Sequence, residues 1–441
     1  MKNILKIFSL CLVLISCSFN NKSSIWTGSE QNIKSKKTNN KNLQEIFKKK
    51  NSVLEDIDLI EGKPLTLGKI ITYNSWEQKF LNNGNKIGHL SFLNKGDYEK
   101  LGKLTKSPIN KNILYSNENI IFSDKKGNIG VYSLAEGKII FKYNFYKKKF
   151  KNIKKDINLI IAYNQIIVSD NLGYIYSLNY KSKKLNWAKN YLIPFRSNIK
   201  LINNILFLTD EKNKVILVNS ETGDKVDELY TTPSQAVSKF HNNLAIDKNN
   251  NLLLLSTIGN LYSLDLNGKK VINWFRNFNE ENELVFAAKP LVVHNDKIII
   301  TTEKKLSVYT DNGLNQWELF INPSTRPIVS ENTIFLCTKE NDLVIIDLNK
   351  GQILFKKKIS EILKKSTKKK YEKELKNIKN IYLSNQNLIL VSNNSYFFEL
   401  RLNNLEVISI RKKPFIISSD FLFVKKNLFV VSENSKLLKI N

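Results

Sequence analysis

Histidine is the side chain that most often binds metals and transfers protons at neutral pH, and this 441-residue chain contains three. They are His89, His241 and His294, which lie too far apart in the sequence to form a metal-binding motif. Gly127 and Gly130 fall within a hairpin turn and its strand, and not between a strand and a helix, so they do not form a phosphate loop. From these residues we predict no catalytic residues, no metal site and no bound cofactor.

One cysteine has a clear chemical role. Cys17 follows an apolar stretch, Ile4–Ile15, which is too short to span a bilayer and has the length of a signal peptide. Leu14-Ile15-Ser16-Cys17 resembles the bacterial lipobox, in which the cysteine thiol takes a thioether-linked diacylglycerol. Two or more acyl chains anchor a protein stably to a membrane. We expect a lipoprotein signal peptide at residues 1–16. The alternative is an ordinary secretory signal peptide that contains Cys17 by chance.

The chain after the signal divides into a tether and a folded region. Residues 17–62 comprise the lipidated cysteine and a stretch rich in Asn, Lys and Ser, a composition typical of flexible linkers. We place one domain at residues 63–441 and expect docking onto it to begin within Ile57–Leu67. Cys337 is then the only cysteine besides Cys17, so the mature monomer has no disulfide, and Cys337 is expected to be buried in a strand.

The folded region is built from a repeat that occurs eight times between Asn119 and Asn441. Each copy contains an apolar run, a polar turn, a second apolar run and another turn, often followed by an aromatic residue. Short runs rich in β-branched and aromatic residues predict strands. The copies recur at roughly 40–45 residues, which is the length of a four-stranded propeller blade. Their central turns are Gly127, Gly173, Asn213, Gly259, Lys304, Asn341, Asn394 and Asn434.

We therefore predict an all-β fold, an eight-bladed β-propeller of four-stranded blades. Seven blades is the alternative if the copy around Asn394 is misassigned. The last copy ends at Asn441 before its outermost strand, which would leave an unpaired edge. Lys69–Tyr73 has the composition of a strand, and we predict that this N-terminal strand completes the last blade and closes the ring. The insertion Lys356–Lys379 is expected to be an exposed loop or short helix.

The charge of the chain does not indicate nucleic-acid binding. Its formal net charge is +29, and it contains 69 Lys and Arg residues. Only five of the basic residues are arginine, the side chain that recognises phosphates and bases through two parallel hydrogen bonds. We interpret the charge as a soluble, lysine-covered surface. The alternative is a surface that lies close to anionic lipid headgroups.

Several copies end in a glycine followed four residues later by an aromatic residue. Gly137–Phe141, Gly313–Trp317 and Gly351–Phe355 keep this spacing. The unit resembles the quinoprotein-type propeller repeat, in which the aromatic side chain docks between blades. The resemblance implies this role for five aromatic residues, Phe141, Trp187, Trp274, Trp317 and Phe355.

Together with the lipobox and the tether, the eight copies resemble the BamB family of lipoproteins, which belong to the outer-membrane β-barrel assembly (BAM) complex. Ser75–Gln78, Asn82–Asn85 and His89 are similar to a Trp…Gly-Gly-Asn…His segment of alphaproteobacterial members. The resemblance covers Leu14 to Asn441. It implies a lipid-anchored protein on the periplasmic face of the outer membrane. The residue after Cys17 is Ser18 and not Asp, which by the same family analogy favours the outer membrane over retention in the inner membrane.

The resemblance further implies a non-catalytic scaffold that binds the periplasmic domains of BamA and other BAM subunits and assists the insertion of nascent outer-membrane proteins. In the family, a loop with a Leu-x-Leu-Arg pattern carries part of the BamA contact. The best match here gives Leu192, Pro194, Phe195 and Arg196 as candidate contacts, because an apolar anchor beside an arginine suits a protein interface. The alternative is a loop between blades in which Pro194 and Phe195 pack against the propeller.

Two other functions are compatible with the repeats. A dehydrogenase dependent on pyrroloquinoline quinone would have the same blades, but such enzymes commonly carry two adjacent cysteines against the cofactor, and this chain has no such pair. The other alternative is a periplasmic propeller that binds polysaccharide or another protein. An exposed apolar patch near Arg196 favours the scaffold, whereas aromatic and acidic side chains lining the central channel favour the general binding propeller.

Overall fold

A computed structural model describes residues 56–59, 65–92, 94–234, 240–266, 271–279, 286–363 and 371–441. Within them, eight four-stranded antiparallel sheets form the blades of a β-propeller. The predicted all-β, eight-bladed fold is confirmed. In these residues no helix is both long enough and apolar enough to cross a bilayer.

The strands are numbered in chain order, beginning with β1 (Tyr98–Lys103). Each of the first seven blades uses four consecutive strands, which run in order from the channel outwards. Blade 1 has β2 (Leu114–Ser116), β3 (Asn119–Ser123), β4 (Asn128–Ser133) and β5 (Lys138–Asn144); blade 2 has β6 (Ile157–Ala162), β7 (Gln165–Asp170), β8 (Tyr174–Asn179) and β9 (Lys184–Asn190). Blade 3 has β10 (Lys200–Ile202), β11 (Ile205–Thr209), β12 (Val215–Asn219) and β13 (Lys225–Leu229); blade 4 has β14 (Asn243–Ile246), β15 (Leu252–Leu255), β16 (Asn260–Leu264) and β17 (Ile272–Asn277).

The remaining blades follow the same order. Blade 5 has β18 (Val292–His294), β19 (Lys297–Thr301), β20 (Lys305–Thr310) and β21 (Asn315–Phe320); blade 6 has β22 (Ile328–Ser330), β23 (Thr333–Cys337), β24 (Asp342–Asp347) and β25 (Ile353–Lys358). Blade 7 has β26 (Ile378–Ser384), β27 (Asn387–Ser392), β28 (Tyr396–Arg401) and β29 (Val407–Lys412). Blade 8 has β30 (Leu422–Val424), β31 (Asn427–Val431) and β32 (Lys436–Ile440), and its fourth strand is β1.

The middle strands of each blade form the core. All residues of β15 and β16 are buried, whereas the outermost strand β17 alternates between exposed and half-buried residues. Strands that are covered on both faces have continuous apolar runs, which is why the repeat was visible in the sequence. Cys337, at the end of β23, is buried in this core as expected.

The ring is closed by β1, which pairs with β32 in antiparallel orientation. Closure by an N-terminal strand is therefore confirmed, but the choice of Lys69–Tyr73 as that strand is wrong. Ile71 makes only an isolated bridge, to Leu90, and the Tyr73 carbonyl accepts a hydrogen bond from the Lys425 backbone at the inner end of blade 8. Lys69–Tyr73 is thus bound near the channel, and the later strand β1 reaches the outer edge of the blade.

A β-bulge that was not predicted from the sequence recurs in the outermost strands. In blade 2, Trp187 lies opposite Ser177 while Leu185 lies opposite Leu178, which leaves Asn186 as the extra residue. The outermost strands of blades 1 and 3 to 7 shift register at the matching position. A bulge bends its strand and increases the local twist, and in blades 1, 2, 4, 5 and 6 it comes directly before the aromatic residue of the repeat.

The predicted docking tryptophans each contact a turn of the following blade. Each indole N–H donates a hydrogen bond to a backbone carbonyl of that turn, and each ring lies against a glycine of the same turn. The three sets are Trp187 with Ser220 O (3.1 Å) and Gly223, Trp274 with Asp311 O (2.9 Å) and Gly313, and Trp317 with Leu348 O (2.8 Å) and Gly351. The other two predicted docking residues, Phe141 and Phe355, are both buried.

The lysine-rich insertion contains two short helices, α1 (Ile359–Leu363) and α2 (Glu372–Leu375), after β25. Leu363 and Leu375 are buried, so the insertion is anchored to the propeller at both described ends.

The first described residues are docked on blade 6. Ile57 exchanges two backbone hydrogen bonds, of 2.8 and 2.9 Å, with Lys356 in β25. The docked chain therefore begins before residue 63, the predicted start of the domain. The rest of the predicted tether that precedes Asp56, together with Cys17 and the signal peptide, lies outside the described residues.

The contact between tryptophan and glycine predicts a difference between two glycine-to-alanine substitutions. Gly313 and Gly137 both have positive φ, of +76° and +64°, but a Cβ on Gly313 would lie 2.6 Å from the Trp274 ring, whereas a Cβ on Gly137 would meet nothing within 4 Å. We expect Gly137→Ala to lower the free energy of unfolding by about 1 kcal/mol through backbone strain alone. Gly313→Ala should cost about 2 kcal/mol more because the ring must move. Urea unfolding measures both values, and equal losses would refute the proposed packing of Trp274.

Candidate partner-binding loop and the capped channel

The two faces of the propeller carry different connections, because neighbouring strands are antiparallel. One face carries the turns between the first and second strands of each blade and between the third and fourth. The other face carries the turns between the second and third strands and the loops that lead from one blade to the next. We call the latter the loop face. The former is crossed by residues 65–92, which we call the cap, and is termed the capped face.

The cap is hydrogen-bonded to all eight blades. From Tyr73 to Leu90 it passes the inner ends of successive blades around the ring, and its first residues bind blade 6. Each blade makes at least one hydrogen bond to the cap, with a donor–acceptor distance of 2.7–2.9 Å. These contacts are Tyr73 O with Lys425 N (blade 8), Trp76 N with Tyr115 O (blade 1), Glu77 O with Ile161 N (blade 2), Asn82 O with Lys200 Nζ (blade 3), Asn83 O with Ile246 N (blade 4), Gly84 O with Val293 N (blade 5), Gly68 N with Ser330 Oγ (blade 6) and Leu90 N with Leu383 O (blade 7). The cap thus gives hydrogen-bond partners to backbone and side-chain groups at the inner ends of the blades.

Asn85 lies at the centre of this arrangement and is fully buried. Its side-chain amide donates to Asn243 Oδ1 at 3.1 Å, to the Leu244 carbonyl at 3.0 Å and to the Leu291 carbonyl at 3.2 Å. These acceptors belong to blade 4 and to the residue before β18 of blade 5. Asn85 has a φ of +56°, a conformation that asparagine tolerates better than most residues. One side chain therefore joins two neighbouring blades to the cap.

Two of the three histidines also hold the cap. His294 Nδ1 accepts a hydrogen bond from Lys86 Nζ at 2.7 Å, and its Nε2 donates to the Glu331 carbonyl at 3.0 Å. Burial and the charge of Lys86 lower the pKa of His294, which agrees with a neutral ring in this geometry. His89 contacts the carbonyl oxygens of Gly68 and Asn385. These imidazoles thus connect the cap to the propeller.

The third histidine, His241, lies 3.6 Å from Asp156. Its pKa is lowered by burial, while the Asp156 charge acts in the opposite direction. Within the described part of the chain, no group of three or more His, Cys, Asp or Glu side chains is placed to hold a metal ion.

The predicted contact loop leads from β9 of blade 2 to β10 of blade 3 and lies on the loop face. Leu192 is 83 % exposed, the largest exposed fraction among the large apolar side chains described. The loop is fixed at its base, since the Tyr191 N–H donates to the Gly173 carbonyl at 2.8 Å and the Pro194 carbonyl accepts from Glu211 N at 2.9 Å. The backbone therefore presents Leu192 to solvent from a braced position.

Phe195 does not belong to this exposed surface. Its side chain is 2 % exposed and packs edge-to-face against Tyr191, with ring centroids 5.6 Å apart. Phe195 was predicted to be a contact residue, but its side chain is buried in the core between blades 2 and 3 and is not available to a partner. Pro194 and Arg196 are half-buried, and the Arg196 backbone N–H donates to the Thr209 carbonyl at 2.9 Å. The structure thus combines both interpretations of the loop, since Phe195 packs inward while Leu192 projects outward.

Comparison with protein families identifies the chain. The family described as outer membrane protein assembly factor BamB matches residues 125–357, which is more than half of the sequence. The chain belongs to the BamB family. The matched region runs from the central turn of blade 1 to the end of blade 6, so it contains the tryptophan contacts and the Leu192 loop.

Solved structures support the BamB-like fold. BamB from Moraxella catarrhalis is 11 % identical, with a TM-score of 0.58 over 78 % of this chain and 98 % of that chain. The computationally designed protein Ika8 and Sqt1 from Saccharomyces cerevisiae each give a TM-score of 0.57 at 9 % identity; each match covers 78 % of this chain, with 99 % of Ika8 and 97 % of Sqt1. Identities this low show the fold alone. No curated protein sequence matches the chain.

The roles of Asn85 and Lys86 in the BamB-like fold were missed from the sequence. The Asn82–Asn85 run was noted only as a family resemblance. A signal was present, because a run of Asn and Gly without apolar periodicity, directly before a folded repeat, needs backbone partners elsewhere. The blades that supply those partners lie up to about 210 residues away in sequence, and local patterns carry no information on them.

Proposed function

We propose that this BamB-family protein is a non-enzymatic scaffold subunit of the BAM complex, which binds BamA and assists the insertion of outer-membrane proteins. The observation that carries the proposal is Leu192, an exposed apolar residue on a braced loop. Protein interfaces are commonly organised around such an anchor, and a rigid loop loses little entropy on binding.

The capped channel supports a scaffold role. Residues 65–92 of the chain itself occupy the capped face through contacts with every blade, and two of the three histidines serve this attachment. The loop face keeps Leu192 and the loops between blades available to other proteins. We assign the contact with the periplasmic domains of BamA to this face, and contacts with other BAM subunits and nascent barrel proteins to the same assembly.

A matched pair of leucine substitutions tests the assignment. Leu192→Asp should abolish recovery of BamA when the tagged, membrane-extracted protein is captured, because a charge replaces the apolar anchor. Loss of an anchor costs about 2 kcal/mol or more, roughly a thirtyfold loss of affinity. The control is Leu314→Asp, since Leu314 is 62 % exposed in a turn on the capped face and should retain BamA.

The outcomes of this capture separate the function from the loop. Equal recovery of BamA with both variants would move the contact away from Leu192. Failure of the native protein to recover BamA would overturn the scaffold proposal and favour another periplasmic binding propeller. Arg196→Glu, which reverses the charge at the base of the same loop, should weaken recovery as well.

We also propose that Cys17 carries the lipid anchor and that the protein lies on the periplasmic face of the outer membrane. The proposal rests on the lipobox-like sequence and the tether that follows it. Native protein should sediment with outer membranes, and Cys17→Ser should shift it out of the membrane-anchored fraction. Mass spectrometry of the mature N-terminus should find acyl chains on Cys17. Sedimentation of Cys17→Ser with the outer membrane at the native level would contradict lipid anchoring.

A further inference from the structure

Beneath the cap, the central channel contains a cavity of about 280 Å³. The cap contributes Trp76 and Phe80 to its wall, and the opposite wall is formed by residues at the starts of innermost strands, among them Ile328 and Phe421. Those strand starts lie towards the loop face. The cavity is therefore covered by the cap at one end, and a ligand would enter from the loop face.

The charges that line this cavity are unbalanced. Five basic side chains and one carboxylate, that of Asp420, line it among the described residues. The basic residues come from the cap and from four different blades, and are Lys79, Lys111, Lys289, Arg326 and Lys379. In the part of the chain that the structure describes, no salt bridge joins Asp420 to any of them. Like charges that share a cavity repel one another, so this arrangement is costly unless an anion or water compensates it.

Two nitrogens of the Arg326 guanidinium have no hydrogen-bond partner in the described residues. These atoms, Nε and Nη2, are shielded from solvent. The guanidinium carbon lies 4.8 Å from the centroid of the Phe80 ring, so the cap supports one face of the group without accepting its N–H bonds. Buried polar groups are normally paired, and an unpaired guanidinium that lines a cavity has the donors that an oxyanion requires.

Burial and neighbouring charges shift the pKa values of these groups. Burial lowers the pKa of Arg326 to about 10, against the opposite effects of Tyr382 and Asp420, so the group is charged at neutral pH. Burial lowers the pKa of Lys379, and the charge of Lys111 lowers it further. Complete burial and the charge of Arg326 hold the pKa of Lys200, which lies under the cap, well below its usual value. An anion in the cavity would stabilise the charged forms of these groups.

We propose that the cavity is a binding site for a compact polyanion, whose phosphoryl or carboxylate oxygens accept hydrogen bonds from Arg326 and pair with the surrounding lysines. The volume suits a small molecule, and the aromatic side chains Trp76 and Phe80 form a wall beside the charges. This site is separate from the Leu192 loop, so its presence or absence does not depend on the scaffold role.

Calorimetric titration of the full-length, detergent-extracted protein tests the proposal. Pyrophosphate serves as the phosphoryl probe and citrate as the carboxylate probe. We expect one molecule of at least one probe to bind per chain, with an affinity that falls as sodium chloride is raised. Tighter binding of pyrophosphate would assign the site to phosphoryl ligands, and tighter binding of citrate to carboxylates.

Variants locate the binding. Arg326→Met and Lys289→Met should each weaken binding at least tenfold, and the control Lys181→Met, which removes an exposed lysine in the turn between β8 and β9, should leave it unchanged. Failure of the native protein to bind either probe at millimolar concentration would overturn the proposal. Equal affinity in native protein, Arg326→Met and Lys289→Met would overturn it as well.

Thermal unfolding gives a second readout that a purely structural role of Arg326 would not produce. In buffer without multivalent anions, Arg326→Met should unfold at the native temperature or above it, because a half-buried guanidinium with two unpaired nitrogens has been replaced by an apolar side chain. Addition of the tighter probe should raise the unfolding temperature of the native protein and leave that of Arg326→Met unchanged. A large fall in the unfolding temperature of Arg326→Met without anion, combined with no effect of the probe on the native protein, would show that Arg326 is structural only.

Discussion

The hydrogen bonds from one short segment to eight different blades are the constraint on which the rest of this structure depends. The innermost strands of a propeller leave backbone and polar side-chain groups facing the channel, and each of these groups needs a partner. Residues 65–92 supply partners by passing the blades in turn, with Asn85 at the centre. The sequence of the cap follows from this path, because a chain that must meet a new acceptor or donor every one or two residues cannot keep a strand or helix period.

The cap also makes the two faces of the propeller different. It occupies the capped face with the chain's own residues and places Phe80 beneath the Arg326 guanidinium, so it helps to form the charged cavity. The loop face keeps the connections between blades, including the loop that exposes Leu192. A partner that binds this face would lie near the end of the channel from which the cavity is reached, whereas Ile57, near the start of the described chain, pairs with Lys356 at the edge of blade 6.

Much of the fold could be predicted from the sequence because each blade is built from local signals. Continuous apolar runs such as Leu252–Leu255 revealed the buried strands, and the glycine-to-aromatic spacing revealed residues that contact the next blade. The closing strand was misplaced because Lys69–Tyr73 and Tyr98–Lys103 have similar strand-like compositions. Only their distance from the edge of β32 distinguishes them, and that is a property of the folded ring. The bulge in the outermost strands was missed because it changes the pairing register without requiring a particular residue type.

The candidate site was less accessible to sequence reasoning. The loop at Leu192 was found by resemblance, but burial of Phe195 depends on the position of Tyr191, which the sequence pattern does not give. The basic groups of the cavity come from the cap and four blades, and each looks like an ordinary surface residue in a lysine-rich chain. Only the closed ring brings them to one place.

The central claim is that the cap holds the ring together through buried hydrogen bonds. The most direct test compares the free energies of urea unfolding of native protein, Asn85→Gly and Asn295→Gly. Both asparagines have a φ of +56°, so glycine introduces no backbone strain at either position, but Asn85 is buried and Asn295 is exposed in a turn. We predict that Asn85→Gly lowers the free energy of unfolding by about 2 kcal/mol more than Asn295→Gly, because the cap loses the buried amide that binds Asn243, Leu244 and Leu291. Equal values for the two variants would contradict the account.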